Sequence, residues 1–544
     1  MTFVHSTYME GDYSTISNNS TTSGSFTSSL AAYCFINNHE LHCIPIISDN
    51  INTTTINIER DENDLTPNLS HFKNKNLLYS LNNPSASDVE PDSYSAKLDS
   101  SNNNHLSSPS TASSISAAHS GDINSTVRSA SPSPSPSPSP IPSESHSSNA
   151  LYLPKHTVNL SENLTNGFQE LKELLIQVFP NWSNKDEISI SQLTGGITNM
   201  LLSCKYFNSR VLIRVYGHGT NLIIDRNREF VSHLMLNSID LAPPVYARFK
   251  NGMIYGYLDG RSLQPQELTQ QNIYPLIAQQ LGNLHCRLKF ELIDSAVSKI
   301  RSLKFTRSNS STTKKSNNSR KKKYISNVWE LLDTWTDIIP TTNPNIIQSF
   351  QTHLPNIAVT PDNFRQVIKD EIQWVKHYLE DKVESPIVAS HCDLLSGNVI
   401  IPDESQHPLP GITGPSPNLP PISENPIKFI DYEYMLPAPR AFDIANHLAE
   451  WQGFECDRSR IPDPSMTNPT IVNWVKAYLN DMNASEEQVK QLIEEIRMYY
   501  GMPGFYWGIW AVIQSELSTI DFDYAEYSVM RLQEYWDWKL KVTN

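Results

Sequence analysis

The sequence predicts an α+β protein with a small, mainly β N-terminal lobe and a larger helical C-terminal lobe, preceded by a disordered tail. Three observations indicate this arrangement: a Ser-, Asn- and Pro-rich composition over 1–150, strand-like runs around a glycine turn over 188–217, and helical periodicity in much of the chain beyond 259. We place the N-terminal lobe at 160–258 and the C-terminal lobe at 259–544.

The N-terminal tail is predicted to be disordered because it lacks regular hydrophobic periodicity. Residues 1–150 show no sustained helix or strand period, and a Ser-Pro repeat occupies 131–140. Such a segment buries too little apolar surface to offset the entropy that is lost on ordering. We therefore expect it to be disordered and dispensable for the folded part.

Composition restricts the classes of function. The start of the chain has no basic segment followed by an apolar core, and no apolar run reaches the roughly 18 residues of a membrane span. We expect a cytoplasmic protein without membrane insertion. The six cysteines lack metal-ligand spacing, so reduced thiols are predicted. A net charge of −15 disfavours nucleic acid as the partner, and a small ligand fits better.

The N-terminal lobe should begin with an amphipathic helix over 168–179. Strands over 188–193 and 199–206 follow, separated by a turn that contains Gly195 and Gly196. Paired glycines let backbone amides approach a phosphate, so both are candidate cofactor-binding residues. An ordinary hairpin turn explains them equally well.

A third strand, over 210–217, carries one cation, Arg214, at its centre, and the helix predicted at 226–238 carries Glu229 near its start. Kinase folds fix nucleotide phosphates with a strand cation and a helix carboxylate of this kind. Arg214 and Glu229 are therefore further candidate cofactor-binding residues. For an isolated arginine, a solvated charge on an edge strand is the alternative. A strand over 253–258 then leads to a hinge between the lobes.

The residues suited to chemistry lie between 390 and 431. Asp393 is followed five residues later by Asn398, and Asp431 ends a later apolar run. In phosphoryl transfer from a nucleotide, one carboxylate positions the attacking hydroxyl, while an amide and a second carboxylate hold magnesium. The spacing alone often marks a solvated loop. Strand-like runs beside each of the three residues would bring them to one cleft, which predicts a kinase.

Two insertions interrupt the C-terminal lobe. Residues 302–323 are rich in Ser, Thr and Asn and end in a basic run, which suits contact with anionic lipid, serine phosphorylation or a plain solvated loop. Residues 402–426 are proline-rich and separate two predicted strands. This second insertion should lengthen a hairpin without abolishing it, because closure entropy grows slowly with loop length.

The C-terminal part is helical and aromatic. Trp507 and Trp510 are three residues apart and share a helix face, and Tyr524 and Tyr527 follow. Aromatic residues at this spacing usually form core. Aromatic faces with carboxylates also bind alkylammonium ligands by cation–π attraction, so both interpretations stay open here. His285, on a helix predicted at 273–288, is interpreted as a packing residue without a catalytic role.

Several of these motifs together resemble the choline/ethanolamine kinase family. They are, in chain order, residues 194–200, 212–217, 391–398, 430–434, 442–447 with 450–451, and 507–510. The resemblance implies a two-lobed protein-kinase-like fold, dependence on ATP and Mg²⁺, and phosphorylation of an amino alcohol. It leaves homodimer formation open.

The resemblance also implies a role for each candidate residue. It makes Asp393 the catalytic base, Asn398 a second catalytic residue, and Asn398 and Asp431 the magnesium ligands. It makes Arg214 a phosphate contact that is paired with Glu229. It places five side chains around the substrate's ammonium group: Glu450, Trp507, Trp510, Tyr524 and Tyr527.

Details of the motifs favour ethanolamine over choline as the substrate. Residues 393–395 read Asp-Leu-Leu, as in ethanolamine-specific members, and 451–454 also resembles that branch. Leu395 is thus a candidate substrate contact, and the product would be phosphoethanolamine, at the first step of phosphatidylethanolamine synthesis by the CDP-ethanolamine route. Choline kinase or dual activity is the alternative, and an inactive kinase-like binding module is a rival. Cys392 departs from the family, which more often has Asn there, and a thiol cannot reproduce the hydrogen bonds of an amide.

Overall fold

In the computed structural model, the described residues are 31–45, 149–193, 199–217, 219–303, 325–402, 419–518 and 520–544. Within these ranges the chain forms a mainly β part followed by a helical part, so the prediction of an α+β, two-lobed fold is confirmed. Within the same ranges, no helix has the length and apolar character needed to cross a membrane.

The mainly β part is built on one large sheet. Its strands are β1 (Ala32–Asn37), β2 (Glu40–Pro45), β3 (Ala150–Leu153), β4 (Ile188–Leu193), β5 (Asn199–Tyr206), β6 (Ser209–Tyr216), β7 (Val245–Phe249) and β8 (Gly252–Gly256). Their spatial order is β2-β1-β3-β7-β8-β6-β5-β4. Neighbouring strands are antiparallel, except that β3 runs parallel to β7.

The three strands predicted around the glycine turn are confirmed as β4, β5 and β6. The turn itself, with Gly195 and Gly196, lies outside the described residues. Two short helices, α1 (Leu160–Thr165) and α2 (Gln169–Val178), precede β4, and α2 confirms the helix predicted at 168–179. Its leucines at 171, 174 and 175 are buried against the sheet, as the helical period requires.

The prediction that residues 1–150 form a disordered tail is wrong for residues 32–45. These residues form a hairpin whose strand β1 pairs with both β2 and β3. Asn38 and His39 make the two-residue loop with φ of 47° and 65°, the left-handed conformation that suits a tight hairpin. Alternate β1 side chains are buried, but this run of six residues is too short to stand out from its polar surroundings. The hairpin also places Cys34 Sγ 2.7 Å from Cys43 Sγ, and both are free thiols.

The hairpin contributes to the core, and this contribution can be measured. Ile36 is buried in a cluster that includes residues of the following helices. We expect Ile36→Ala to lower the free energy of unfolding by about 2–4 kcal/mol, as for a buried aliphatic side chain. Tyr33→Ala, on the exposed face of the same strand, is the control and should change it by less than about 1 kcal/mol. Equal, small effects in urea unfolding would show that the hairpin does not belong to the folded core.

The remaining helices follow the strands of the large sheet in the chain, except that the first of them lies between β6 and β7. They are α3 (Arg226–Ser238), α4 (Tyr274–Arg287), α5 (Phe290–Ser302), α6 (Val328–Ile338), α7 (Pro344–His353), α8 (Phe364–Lys382), α9 (Arg440–Ala449), α10 (Pro469–Tyr478), α11 (Glu486–Tyr499), α12 (Met502–Leu517) and α13 (Tyr524–Thr543). The helices predicted at 226–238 and 273–288 are confirmed as α3 and α4. Each of α6, α7 and α10 begins after an asparagine whose side chain caps the first turn.

Two small sheets hold the predicted catalytic segments. Strand β10 (Ile387–Ser390) pairs with β13 (Leu436–Pro439), and β11 (Val399–Ile401) lies between β9 (Arg261–Ser262) and β12 (Lys428–Phe429). The strands predicted on either side of the proline-rich insertion therefore pair with each other. Residues 403–418 and 304–324, which make up most of the two predicted insertions, lie outside the described residues.

Helices α12 and α13 are in close contact at two glycines of α12. A Cβ on Gly504 would lie 2.5 Å from the backbone oxygen of Arg531, and one on Gly508 would lie 2.8 Å from Cγ of Leu532. Any side chain at these positions would force the helices apart. This close approach brings the tryptophans of α12 beside the tyrosines at the start of α13.

Candidate active site

The loop between β10 and β11 holds the predicted base, Asp393. Asn398 lies in a single helical turn at the end of this loop, and its Nδ2 donates to the Asp393 backbone oxygen at 2.7 Å and to Asp393 Oδ2 at 3.2 Å. The other carboxylate oxygen, Oδ1, is buried and accepts no hydrogen bond from any described residue. The five-residue spacing thus brings the two residues together. Asn398 Oδ1 and Asp393 Oδ1 take no part in the hydrogen bonds between them.

The segment that carries Asp431 lies against the same loop. Ile430 N donates to the Asn398 backbone oxygen at 3.0 Å, and the His391 ring nitrogen Nε2 lies 3.0 Å from the Ile430 oxygen. Asp431 itself has φ of 67°, a left-handed conformation that Asp and Asn adopt more readily than most residues. The structure therefore brings Asp393, Asn398 and Asp431 together, as the sequence predicts.

The environment of Asp393 disfavours its charged form. Burial raises the pKa of Asp393 well above its ordinary value, and the negative charges of Asp431 and Glu450 raise it further. The hydrogen bond from Asn398 acts in the opposite direction but is a smaller effect. A carboxyl group with a raised pKa accepts a proton readily, which is what a general base requires.

Three side chains of α9 hold the backbone of residues 391–398, here called the catalytic loop because it carries the predicted base. Asp443 accepts from His391 N and from Cys392 N, both at 2.8 Å. Asn446 Nδ2 donates to the Cys392 oxygen at 2.9 Å, and His447 Nδ1 donates to the Leu394 oxygen at 2.9 Å. The loop is therefore braced from both sides of Asp393 without any contribution from the Cys392 side chain.

Cys392 matters through its backbone conformation. Its φ is 64°, a left-handed value in which asparagine is enriched and cysteine is not. The thiol is buried, and burial raises its pKa well above the ordinary value. Cys392 N donates to Asp443 and the Cys392 oxygen accepts from Asn446, and these two hydrogen bonds keep the strained residue in place. The replacement of asparagine by Cys392 therefore affects local backbone strain and not the position of Asp393.

His285, to which the sequence assigns only packing, belongs to the support of this loop. Its Nε2 lies 2.8 Å from Asp443 Oδ2, and its Nδ1 lies 2.8 Å from the Tyr478 hydroxyl. Burial alone would raise the pKa of Asp443, but the hydrogen bonds from His285 and the loop amides lower it below the ordinary value. Asp443 is therefore the charged centre of the brace. Its contacts to the loop span 51 and 52 residues of chain, so no local signal in the sequence predicts them.

A cluster of charges joins the sheet to the Asp431 segment. Arg214 Nη1 lies 2.5 Å from Asp431 Oδ1, 3.2 Å from Glu433 Oε2 and 3.5 Å from Glu229 Oε1. The predicted pairing of Arg214 with Glu229 therefore exists, but it is the longest of the three contacts. The nearest partner of Arg214 is the predicted magnesium ligand.

Arg226 and Glu433 complete this cluster and were not predicted. Arg226 Nη1 donates to Glu433 Oε2 at 2.8 Å and to Glu229 Oε2 at 3.0 Å. Asn199 Nδ2, at the start of β5, donates to Glu433 Oε2 at 2.9 Å. The available signals were the position of Glu433 two residues after Asp431 and that of Arg226 three residues before Glu229. The second signal fits the local pair of Arg226 with Glu229. Neither signal identifies the contacts of Glu433, because its partners Arg226 and Asn199 lie 207 and 234 residues away in the sequence.

The predicted aromatic substrate residues form a continuous set of ring contacts. Trp507 lies edge-on to Trp510 at 5.4 Å between ring centroids, and Trp510 lies edge-on to Tyr524 at 5.8 Å. Phe522 joins Tyr524 to Tyr527, with centroids at 4.8 Å and 5.5 Å. All four predicted aromatic side chains are buried, so core packing also accounts for them in part.

Hydrogen bonds link this aromatic set to the catalytic loop. Trp507 Nε1 donates to Asn446 Oδ1 at 2.8 Å, and the same asparagine holds the Cys392 oxygen. Trp510 Nε1 donates to the Tyr434 hydroxyl at 2.7 Å. The aromatic face and the catalytic loop therefore share one support.

The remaining predicted substrate residues lie nearby. Glu450 follows α9 directly, and its negative charge is one of those that raise the pKa of Asp393. Arg531 Nη1 donates to Glu450 Oε1 at 3.1 Å and to the Tyr527 hydroxyl at 3.0 Å. Leu395 is half-buried, whereas its neighbour Leu394 is buried, so Leu395 is the leucine of the pair that can reach a ligand.

Comparisons with known proteins agree with this geometry. The family model of the choline/ethanolamine kinases matches residues 190–536. Mouse ethanolamine kinase 1 is 28% identical over 68% of this chain and 89% of its own length, and the Drosophila melanogaster ethanolamine kinase is 31% identical over 61% of this chain and 54% of its own length. The solved structure of Plasmodium vivax ethanolamine kinase superposes with a TM-score of 0.51 at 26% identity, covering 70% of this chain and 92% of that chain. Because the family match spans more than half of the sequence, the chain belongs to the choline/ethanolamine kinase family.

Proposed function

We propose that this chain is an ethanolamine kinase, which transfers the γ-phosphoryl group of ATP to the hydroxyl of ethanolamine. The observation that carries the proposal is the convergence of Asp393, Asn398 and Asp431 beside an aromatic set with a carboxylate, in a chain of this family. Relatives from mouse, fly and Plasmodium vivax are each named as ethanolamine kinases, which favours ethanolamine over choline.

Asp393 serves as the base in this proposal. It accepts the proton of the ethanolamine hydroxyl while the oxygen forms its bond to the γ-phosphorus and the bond from that phosphorus to ADP breaks. Its buried Oδ1, with no partner among the described residues, is the oxygen available to the hydroxyl. Asn398 fixes the carboxylate through the other oxygen.

The residues present fit a magnesium ion. Asn398 donates through its amide nitrogen to Asp393, which leaves its carbonyl oxygen as a ligand, and Asp431 supplies a carboxylate. Among the described residues, no group of three His, Cys, Asp or Glu side chains could hold a metal alone. Magnesium commonly binds one or two protein carboxylates together with substrate phosphates, so two protein ligands suffice. When bound, the ion neutralises the charge that develops on the phosphates.

Arg214 is placed to contact the nucleotide phosphates. Its guanidinium lies beside the carboxylate proposed for magnesium, and its buried neighbours Glu229 and Glu433 hold it in the cleft. A guanidinium matches phosphate oxygens in geometry and charge. We assign Gly195 and Gly196 to the same phosphates on the resemblance of their turn alone.

The ammonium of ethanolamine binds between Glu450 and the aromatic set in this proposal. A primary ammonium has three N–H donors, whereas the choline ammonium has none and carries three methyl groups. A site with buried acceptors disfavours choline, because those acceptors would lose their partners. Initial rates with ATP, Mg²⁺ and either ethanolamine or choline test the proposal directly. A wild-type chain that turns over neither, or that favours choline, would overturn it.

Leu395 offers a test of the specificity. We expect Leu395→Gln to shift the ratio of kcat/KM for ethanolamine over choline towards choline by about 5- to 30-fold, because an unbranched side chain can bend away to admit the methyl groups. The KM for ATP is the internal control and should stay within about 3-fold. An unchanged ratio would remove Leu395 from the explanation of specificity.

A further inference from the structure

Arg531 is the most deeply buried charged side chain near the proposed ammonium site. It lies on α13 one turn after Tyr527, and its side chain is 0% exposed. Its Nη1 donates both to Glu450 Oε1 and to the Tyr527 hydroxyl, and its Nε lies 3.4 Å from Glu534 Oε2. Nε and Nη2 are buried without a hydrogen-bond partner among the described residues.

We propose that Arg531 is a positioning residue for the substrate's ammonium group, acting through Glu450 and Tyr527; this inference rests on the proposed function. Arg531 cannot be the ammonium ligand, because two cations repel each other. Its role is to fix the two groups that contact the ammonium. By engaging Glu450 Oε1, it leaves Oε2 as the carboxylate oxygen for the substrate.

The charges around Arg531 would be balanced by one additional cation. With Glu450 and Glu534 both ionised, their two negative charges and the one positive charge of Arg531 give this buried group a net charge of −1. Burial raises the pKa of Glu534, and the charge of Arg531 and a hydrogen bond from Gln452 oppose this rise. An uncompensated buried charge is costly, and an ammonium group would balance it.

The backbone around Arg531 is closely packed against α12. A Cβ on Gly504 of α12 would lie 2.5 Å from the Arg531 carbonyl oxygen, so the two helices are in close contact at this residue. Trp507 and Trp510 follow Gly504 on α12 by three and six residues. A guanidinium on such a support can hold Glu450 and Tyr527 in fixed orientations, because its donors form a planar, preorganised fork.

A single and a double variant distinguish a positioning role of Arg531 from a role in charge balance alone. Arg531→Met should raise the KM for ethanolamine about 10-fold or more while the KM for ATP stays within about 3-fold. The double variant Arg531→Met with Glu534→Gln restores the net charge of the buried group but not the contacts to Glu450 and Tyr527. We expect it to keep the raised KM. A double variant with the wild-type KM would overturn the proposal, because Arg531 would then only balance Glu534.

Conservative and control variants complete the experiment. Arg531→Lys keeps the charge but has a single donor group, so its KM for ethanolamine should lie between those of wild type and Arg531→Met. Lys539→Met, on the same helix, removes a cation from buried Glu371 and should lower the melting temperature without changing either KM. If Arg531→Met does not fold, the charge-balanced double variant and Arg531→Lys carry the test.

The outcomes distinguish this inference from the proposed function. A wild-type chain that does not phosphorylate ethanolamine refutes the function, whatever the variants do. A wild-type chain that is active, with Arg531→Met showing an unchanged KM for ethanolamine, refutes the positioning role alone. Tryptophan fluorescence titrated with ethanolamine in the absence of ATP gives the affinity without relying on turnover, and it should weaken in parallel with the KM.

Discussion

Replacing Asp393 with asparagine is expected to lower turnover by about 10²-fold or more, because the amide cannot accept the proton of the substrate hydroxyl. The same variant should be no less stable than the wild type. Asparagine has the same shape, and its side-chain oxygen can accept the hydrogen bond that Asn398 donates to Asp393. Initial rates and thermal unfolding of the two proteins measure both expectations.

The expected stability follows from the raised pKa of Asp393. Between the ordinary carboxyl pKa and this raised pKa, the folded state binds more protons than the unfolded state, so stability falls as pH rises through that window. Above the window, the buried charge of Asp393 lowers stability and a neutral amide would not, so the Asp393→Asn variant should melt at the same temperature or higher. Turnover of the wild type should rise with pH as Asp393 loses its proton. An active Asp393→Asn enzyme would remove Asp393 from the mechanism.

Asp431→Asn is expected to reduce kcat/KM for ATP by about 10²-fold, with partial recovery at high Mg²⁺. The substitution removes the carboxylate proposed for magnesium and the partner of Arg214 at 2.5 Å. It should preserve the backbone, because asparagine tolerates the left-handed conformation of residue 431 at least as well as aspartate does.

The control for Asp431→Asn is the affinity of the proposed ammonium site for ethanolamine. Ethanolamine affinity measured by tryptophan fluorescence without ATP should be unchanged, because the nearest ionic partner of Asp431 is Arg214, whereas that of Glu450 is Arg531. A magnesium dependence identical to that of the wild type would contradict the role of Asp431 as a ligand.

The candidate site divides into residues that a local pattern reveals and residues that it does not. Asp393 and Asn398 lie five positions apart in one loop, and Asp431 ends an apolar run, so each has a signal within a few residues. Asp443 and Arg531 have no such signal. The loop amides that Asp443 accepts from lie 51 and 52 residues before it, and Glu450 lies 81 residues before Arg531, so only packing makes these groups neighbours.

The strands show the same division. The strands β4 to β6 follow one another in the chain and in the sheet, so their alternation and turns are sufficient to predict them. The hairpin of β1 and β2 is separated from β3 by more than 100 residues of polar chain, and its stability comes from pairing with β3 and from burial beneath the helices. A short amphipathic run becomes a strand only when a sheet edge is available to it.

By itself, the sequence determined the two-lobed class, the candidate catalytic trio and the candidate aromatic residues, because these have local signals: helix and strand periodicity, a five-residue spacing in one loop, and an aspartate at the end of an apolar run. The tertiary structure decided which charges meet. It made Asp431 the nearest partner of Arg214. It also placed Asp443 against the backbone of the catalytic loop and Arg531 in contact with Glu450. These pairings depend on burial, because a buried charge is stable only beside a partner of opposite charge. The packing of distant segments decides which partner that is.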